Sequence, residues 1–138
     1  MNLKSFGIAL ALCSSLVQQP AFAKTEIISY TNTKGSVLTL DIAENILSGT
    51  FTTAVAYNEC QEAIGMERPI VGLIAGNALT FSVTYPGCGS VVTFIGNIEN
   101  GKKTIDTTAI VAHQSTDTLK DGPGARMLNH DVFTRDEA

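Results

Sequence analysis

The sequence contains no tryptophan and few charged residues. Its 138 residues include two His and three Cys, and charged residues make up only 16% of the chain. The formal net charge is -4 and no cluster of basic residues occurs, so nucleic acid is not an expected partner. Because so few thiols and imidazoles are present, and none stand at metal-ligand spacing, we expect no metal centre.

The sequence also offers little for catalysis. No serine lies in a nucleophile-elbow motif. His113, His130 and Asp131 are the residues from which an acid–base group would have to be built. An enzyme based on them is the least favoured alternative, and we expect a protein that is not an enzyme.

The N-terminal segment has the pattern of a secretory signal. Met1–Lys4 supplies a short positive region, Phe6–Val17 is mostly apolar, and Ala21–Ala23 has the small residues of a signal-peptidase site. The apolar run is too short to remain as a membrane span. We expect residues 1–23 to be removed by cleavage after Ala23, which leaves one domain, residues 24–138, secreted or in the periplasm.

The cysteines divide between the signal and the domain. Cys13 lies within the signal; its lipidation is an alternative, which the bulky Leu12 before it disfavours. Cys60 and Cys88 remain as an even pair in an oxidising compartment, where a disulfide is the simplest interpretation. A metal site made by two thiols is the weaker alternative.

The rest of the chain has a β pattern in short segments of alternating polarity. Strands are predicted at Ile27–Thr31, Ser36–Leu40, Leu47–Ala56, Pro69–Ile74, Leu79–Tyr85, Ser90–Ile98, Thr104–His113 and near Ala125–Thr134. Tight turns join them, which is typical of an antiparallel meander. Because closing a sheet removes its exposed edges, we predict an all-β protein, an eight-stranded antiparallel up-and-down β-barrel, over a sandwich.

One end of this barrel is predicted to carry aromatic and hydroxyl side chains. Tyr85 lies on the inward face of its strand, and Ser90 and Phe94 share a face of the next strand. Aromatic walls with a hydroxyl between them are typical of a ligand pocket, and a small barrel has room for one small ligand. An ordinary aromatic core explains the same pattern equally well.

Four segments, in order and spread over nearly the whole domain, resemble the avidin and streptavidin family. They are Tyr30–Ser36 (YTNTKGS), Leu47–Val55 (LSGTFTTAV), Leu79–Tyr85 (LTFSVTY) and His130–Thr134 (HDVFT). The resemblance implies an avidin-like barrel that holds biotin non-covalently in its mouth, with no cofactor and no chemistry.

The resemblance also bears on assembly. Cys60 and Cys88 are placed like the disulfide of rhizavidin-like dimeric avidins, and the Trp that family tetramers lend to a neighbouring subunit is absent. Both features imply a homodimer, against the alternative of a monomer with a structural disulfide. On the seventh predicted strand we expect Ile105, Ala109 and Val111 to face outward, as an apolar surface for self-association.

The resemblance assigns five residues to positions that contact the ureido ring of biotin. Asp131 would accept a hydrogen bond from one ureido N–H, and Thr53 replaces a Ser that accepts the other. Asn32 and Ser36 match two of three donors to the ureido oxygen; the third is a Tyr in the family and Phe51 here. The alternative for Asp131 is a surface residue at a strand end, or one paired internally with Asn32.

Further residues are assigned to the rest of the ligand. Ser90 matches the Ser that contacts the valerate carboxylate, and Val92 stands where a Thr approaches the thioether sulfur. Val55, which ends the second resembling segment, is assigned to the same site. The Tyr57–Glu67 segment would act as a lid in the family picture, while the Gln114–Gly124 loop is the other candidate to cover the ligand.

Three Trp positions of the family fall on Tyr85, Phe94 and Ile110. These side chains have less apolar surface than Trp, so contact with the ligand is reduced. Together with the hydroxyls lost elsewhere, this predicts biotin binding weaker than is typical of avidins. The alternatives are a different small ligand, or an interaction module that has lost its pocket.

Overall fold

The computed structural model describes residues 25–115 and 126–137. The predicted signal with Cys13, the cleavage site after Ala23 and most of the Gln114–Gly124 loop lie outside these residues. In the part of the chain that the structure describes, no helix has the length and apolar character needed to cross a membrane.

Eight antiparallel strands, β1 to β8, close into a barrel in which each strand pairs with its neighbours in sequence and β8 pairs with β1. They are β1 Glu26–Asn32, β2 Val37–Ala43, β3 Ile46–Thr52, β4 Glu67–Ala75, β5 Ala78–Tyr85, β6 Ser90–Glu99, β7 Thr104–His113 and β8 Arg126–Arg135. The predicted all-β, up-and-down barrel is therefore confirmed.

The third strand ends earlier than predicted. It stops at Thr52 rather than Ala56, and the chain then runs through a short 3₁₀ helix, Asn58–Ala63, before β4 begins. The Thr53 hydroxyl bonds to both the N–H and the carbonyl of Val55. Such local side-chain bonds compete with strand pairing, which gives a physical reason for the early end.

Side chains alternate between the two faces of each strand, and several of those that face inward are aromatic rings that meet inside the barrel. Phe81 and Phe94 stack with ring centroids 4.7 Å apart, and Phe133 meets both of them edge-on. Phe51 packs against Phe94 at 5.2 Å. Offset and edge-to-face pairs of this kind are the favoured aromatic geometries, so these rings form a dense base for the space above them.

The prediction for the faces of β7 is wrong. Ile105, Ala109 and Val111 are buried and point into the barrel, whereas Ile110 lies on the outer face. Because the side-chain period of a strand is two, a one-residue error exchanges the two faces completely. The inward face also holds Thr107, whose hydroxyl donates to the backbone carbonyl of Asp131 at 2.9 Å.

Candidate ligand-binding site

A cavity of about 350 Å³ opens at the end of the barrel where β6 begins and β7 ends. Ten of the eleven predicted ligand-binding residues line it. The polar ones are Asn32, Ser36, Thr53, Ser90 and Asp131. The apolar and aromatic ones are Phe51, Val55, Tyr85, Val92 and Phe94. Apolar walls with a few placed polar groups are the usual composition of a small-molecule site.

Ile110 is the predicted site residue that the structure does not bring to the cavity. Its side chain is 37% exposed on the outer face of β7. The cavity is instead lined by its two neighbours, Ala109 and Val111. The assignment of Ile110 to the pocket is therefore wrong, for the same reason that the faces of β7 were exchanged.

Asp131 points inward from β8 and is 8% exposed. Its Oδ1 accepts a hydrogen bond from Asn32 Nδ2 at 3.2 Å and an ion-pair contact from Lys34 Nζ at 2.9 Å. Oδ2 has no hydrogen-bond partner among residues 25–115 and 126–137. The carboxylate thus lines the cavity and is paired internally with Asn32, and its contact with a ligand stays a prediction.

Lys34 was not identified from the sequence, although it lies inside one of the resembling segments. Its side chain is partly exposed and reaches back over the cavity to Asp131. The sequence signal that could have identified it is a basic residue two positions after Asn32, a predicted site residue. The ion pair offsets part of the cost of burying the carboxylate before any ligand arrives.

The turn between β1 and β2 is built around the Asn32 side chain. Its Oδ1 accepts the backbone N–H groups of Lys34 at 3.0 Å and Ser36 at 2.9 Å. Gly35 completes the turn with a φ of +88°, a conformation that favours glycine. Ser36 Oγ accepts the Ala54 N–H at 3.0 Å, so its own hydrogen remains available to an acceptor in the cavity.

Thr53 is held by the chain that follows it. Its Oγ1 donates to the Val55 carbonyl at 2.6 Å and accepts the Val55 N–H at 3.3 Å. The hydroxyl hydrogen is therefore engaged, and the oxygen faces the cavity as an acceptor. An N–H group of a ligand is the partner that this arrangement suits.

A second polar region lies at the start of β6 and the end of β7. Ser90 Oγ donates to the Cys88 carbonyl at 3.0 Å and lies 2.8 Å from Nδ1 of His113, its partner in the strand register. The ring of Tyr57 meets that of His113 edge-on, with centroids 6.1 Å apart. His113 and Tyr57 both line the cavity, and neither was assigned to ligand binding from the sequence.

The acid–base group considered from the sequence is not assembled. His130 lies on the outer face of β8, where its Nε2 is 2.8 Å from Asp106 Oδ1. Asp131, the next residue, points into the barrel. Consecutive strand residues face opposite sides of a sheet, so His130 and Asp131 cannot act on one substrate atom.

The segment between β3 and β4 forms one wall of the cavity, through Ala56, Tyr57, Cys60 and Ala63. The predicted Cys60–Cys88 disulfide is present, with a Cα–Cα distance of 5.4 Å. It joins the 3₁₀ helix of this wall to the turn that precedes β6. The covalent link restrains a wall that no strand pairing holds in place.

Comparison with known proteins decides the family. The family model described as Avidin matches residues 23–136. The chain belongs to the avidin family. Comparison with curated protein sequences gives no significant match.

Several solved avidins share the fold of this avidin. Apo bradavidin2 is 25% identical with a TM-score of 0.65, covering 80% of this chain and 96% of its own. Intact afifavidin in its apo form is 28% identical with a TM-score of 0.66, covering 81% and 82%. A rhizavidin–biotin complex is 18% identical with a TM-score of 0.69, covering 86% and 98%.

Tyr85 is an aromatic residue of the cavity wall of this avidin, and its hydroxyl is buried. The side chain is 7% exposed, and its Oη has no hydrogen-bond partner within the described residues. Burial raises the pKa of Tyr85 to about 12, partly opposed by the positive charge of Arg68. The folded protein therefore holds this phenol in its neutral form well above the ordinary tyrosine range.

We expect this avidin to lose stability as the pH rises from about 10 to about 12, because Tyr85 ionises in the unfolded chain before it does in the folded one. Tyr85→Phe should reduce that loss, and at neutral pH it should be at least as stable as the parent because a buried unpaired hydroxyl is removed. Urea unfolding at about pH 9 and about pH 11 measures both effects. Tyr57→Phe is the control; equal alkaline losses in the parent and Tyr85→Phe would contradict the assignment.

Proposed function

We propose that this protein binds biotin non-covalently in the cavity at the open end of the barrel, as a binding protein rather than an enzyme. The observation that carries the proposal is the inward Asp131 carboxylate, with one oxygen unpartnered by the described residues. A carboxylate in a mostly apolar cavity is costly to desolvate unless a ligand supplies a donor. A cyclic urea supplies N–H donors beside a carbonyl acceptor.

The polar groups of the cavity match both kinds of atom in such a ring. One ureido N–H would donate to Asp131 Oδ2, and the other to the Thr53 hydroxyl oxygen. The ureido oxygen would accept from Ser36, whose hydrogen has no acceptor among the described residues. Phe94 and Val92 would then contact the apolar ring system.

We further propose that biotin binds more weakly here than is typical of avidins. Phe51 and Val92 supply no hydroxyl to the ligand, and each missing neutral hydrogen bond costs about 0.5–1.5 kcal/mol. Ala109 lies in the cavity where we had expected the larger Ile110, which reduces apolar contact further. Lys34 also competes for the negative charge of Asp131. Together these differences amount to several kcal/mol, or roughly a few decades of affinity.

Retention on biotin–agarose tests the proposed ligand. Purified protein should bind the resin, pass through unmodified agarose, and elute with free biotin. Passage of a folded protein straight through the biotin resin would contradict biotin binding and would favour the alternative of a different small ligand.

The proposed site of action is outside the cytoplasm. We propose that cleavage after Ala23 releases the domain into the periplasm or the medium, and the Cys60–Cys88 disulfide supports an oxidising compartment. Mass spectrometry of the exported protein tests this proposal. A mature chain that starts at Lys24 is expected; a chain that retains its first residues in the cytoplasm would contradict it.

We propose that the protein is a homodimer that pairs through its outer face. An outer apolar patch is formed by Val91, Ile95, Ile110 and Leu128 on β6, β7 and β8. Ile110 lies directly opposite Leu128 in the strand register, and Leu128 is 72% exposed. A contiguous apolar surface on neighbouring strands is the kind that a second copy buries in a two-fold interface.

Ile110→Asp should convert the dimer to a monomer, because it would place a charge at the centre of the outer apolar patch. Sizing chromatography at about micromolar concentration measures the change. Ile46→Asp is the control, since Ile46 is also an exposed isoleucine and lies on β3, across the barrel. A parent protein that elutes as a monomer, or a dimer unaffected by Ile110→Asp, would contradict this interface.

A further inference from the structure

The two polar regions of the cavity lie at different levels along β7. Asp131 lies opposite Thr107 in the strand register, and Ser90 lies opposite His113, six residues further along β7. Ala109 and Val111 line the cavity between these levels. A ligand whose neutral ring lies at Asp131 therefore extends its other end along an apolar wall towards His113.

We propose that His113 binds the carboxylate at the tail of the ligand, and that this contact requires the imidazole of His113 to take up a proton from solvent. The proposal rests on biotin being the ligand, since biotin joins a neutral ureido ring to an anionic tail. It assigns His113 as the residue that distinguishes an anionic tail from a neutral one and that makes affinity depend on pH.

The hydrogen bonds of Ser90 determine which donor remains. Its hydroxyl has one hydrogen, and that hydrogen is donated to the Cys88 carbonyl. The 2.8 Å contact with His113 is a second hydrogen bond at the same time only if Nδ1 carries a hydrogen and donates it to Ser90 Oγ, and our proposal takes this tautomer. In this tautomer both hydrogens are engaged within the protein, and neither is free for a ligand carboxylate.

Nε2 of His113 is the donor at this end that can carry a positive charge; the hydroxyls of Tyr57 and Tyr85, which also line the cavity, are neutral donors. Among residues 25–115 and 126–137, no side chain or carbonyl is bonded to this Nε2. Because Nδ1 already carries a hydrogen, Nε2 carries one only in the imidazolium form. A carboxylate next to this nitrogen therefore favours protonation, and the contact becomes a charge-assisted hydrogen bond.

The other titratable groups that line the cavity come from four different elements. They are Lys34 on the β1–β2 turn, Tyr57 before the 3₁₀ helix, Tyr85 on β5 and Asp131 on β8. Of these, Tyr57 is in ring contact with His113, and Lys34 is paired with Asp131. Within residues 25–115 and 126–137, no carboxylate bonds His113.

Calorimetric titration of two ligands against two proteins tests the proposal. The ligands are biotin and its primary amide, which keeps the ring but has a neutral tail; the proteins are the parent and His113→Gln, which can donate a hydrogen bond but does not titrate. Each pair is measured at about pH 5.5 and about pH 8.5, on either side of the ordinary histidine pKa of roughly 6.5. The carboxylate of biotin stays ionised across this range.

For the parent protein, biotin affinity should fall about tenfold between the lower and the higher pH, the value of one charge-assisted hydrogen bond. The amide should show no such change, and His113→Gln should bind biotin equally well at both values. Heats measured in buffers of different ionisation enthalpy should show proton uptake for biotin alone.

The outcomes separate the two proposals. If the parent binds biotin and the amide with the same pH dependence, the role of His113 is overturned and biotin binding stands; a hydroxyl rotation at Ser90 would then serve the tail. If neither ligand binds at either pH, biotin binding itself is overturned and the role of His113 with it.

Discussion

Replacing Asp131 by Asn should lower biotin affinity by on the order of a hundredfold, the largest effect expected from one cavity residue. Hydrogen bonds to an ionised acceptor are about twice as strong as neutral ones, and this substitution removes the charge. An amide nitrogen would also face the ureido N–H or the Asn32 amide, donor against donor. Lys34 would lose its partner, which leaves a positive charge beside the ligand.

Competition binding or calorimetry measures this loss, and two further variants define it. Asp106→Asn is the matched control, because Asp106 lies on the outer face of the neighbouring strand and should leave affinity unchanged. The double variant Thr53→Ala with Asp131→Ala removes both proposed acceptors of the ureido N–H groups and should bind more weakly still. Unchanged binding by the double variant, with the barrel intact by circular dichroism, would remove the ureido assignment.

Removing the disulfide should have the largest effect on stability. The bridge closes a segment with a sequence separation of 28 residues, which corresponds to about 3.5 kcal/mol of unfolding free energy in the chain-entropy model. The double variant Cys60→Ser with Cys88→Ser should lose roughly that amount. Because Cys60 lies in the cavity wall, bound biotin should also dissociate faster once the wall is released.

Urea unfolding and dissociation kinetics measure the two consequences of disulfide removal separately. Both serines are introduced together so that no free thiol remains to form mixed disulfides. A shift in gel mobility of the parent on reduction shows that the bridge forms in solution. An equal dissociation rate in the parent and the double variant would show that the β3–β4 segment does not restrain the ligand.

The barrel could be predicted because its local signals agree. Alternation in segments such as Leu79–Tyr85, bounded by the turn-forming Pro86 and Gly87, permits little other than short antiparallel strands. The position of Asp131 was also accessible, since a carboxylate two residues before the buried Phe133 has to share its inward face.

The errors occurred where alternation was ambiguous or a side chain was long. On β7 the inward face contains polar Thr107 and the outward face contains apolar Ile110, so polarity alone does not identify the buried side. The end of β3 was misplaced because the bonds of Thr53 to Val55 depend on geometry rather than composition. Lys34 was missed because spacing fixes the backbone position of a lysine but not where its ammonium group reaches.

Calorimetric titration of the purified protein with biotin is the most direct test of the account. We expect saturable binding of one biotin per chain, and we expect this binding to be largely lost when Asp131 is replaced. Absence of binding at concentrations up to about millimolar, where the binding free energy is only about -4 kcal/mol, would contradict it.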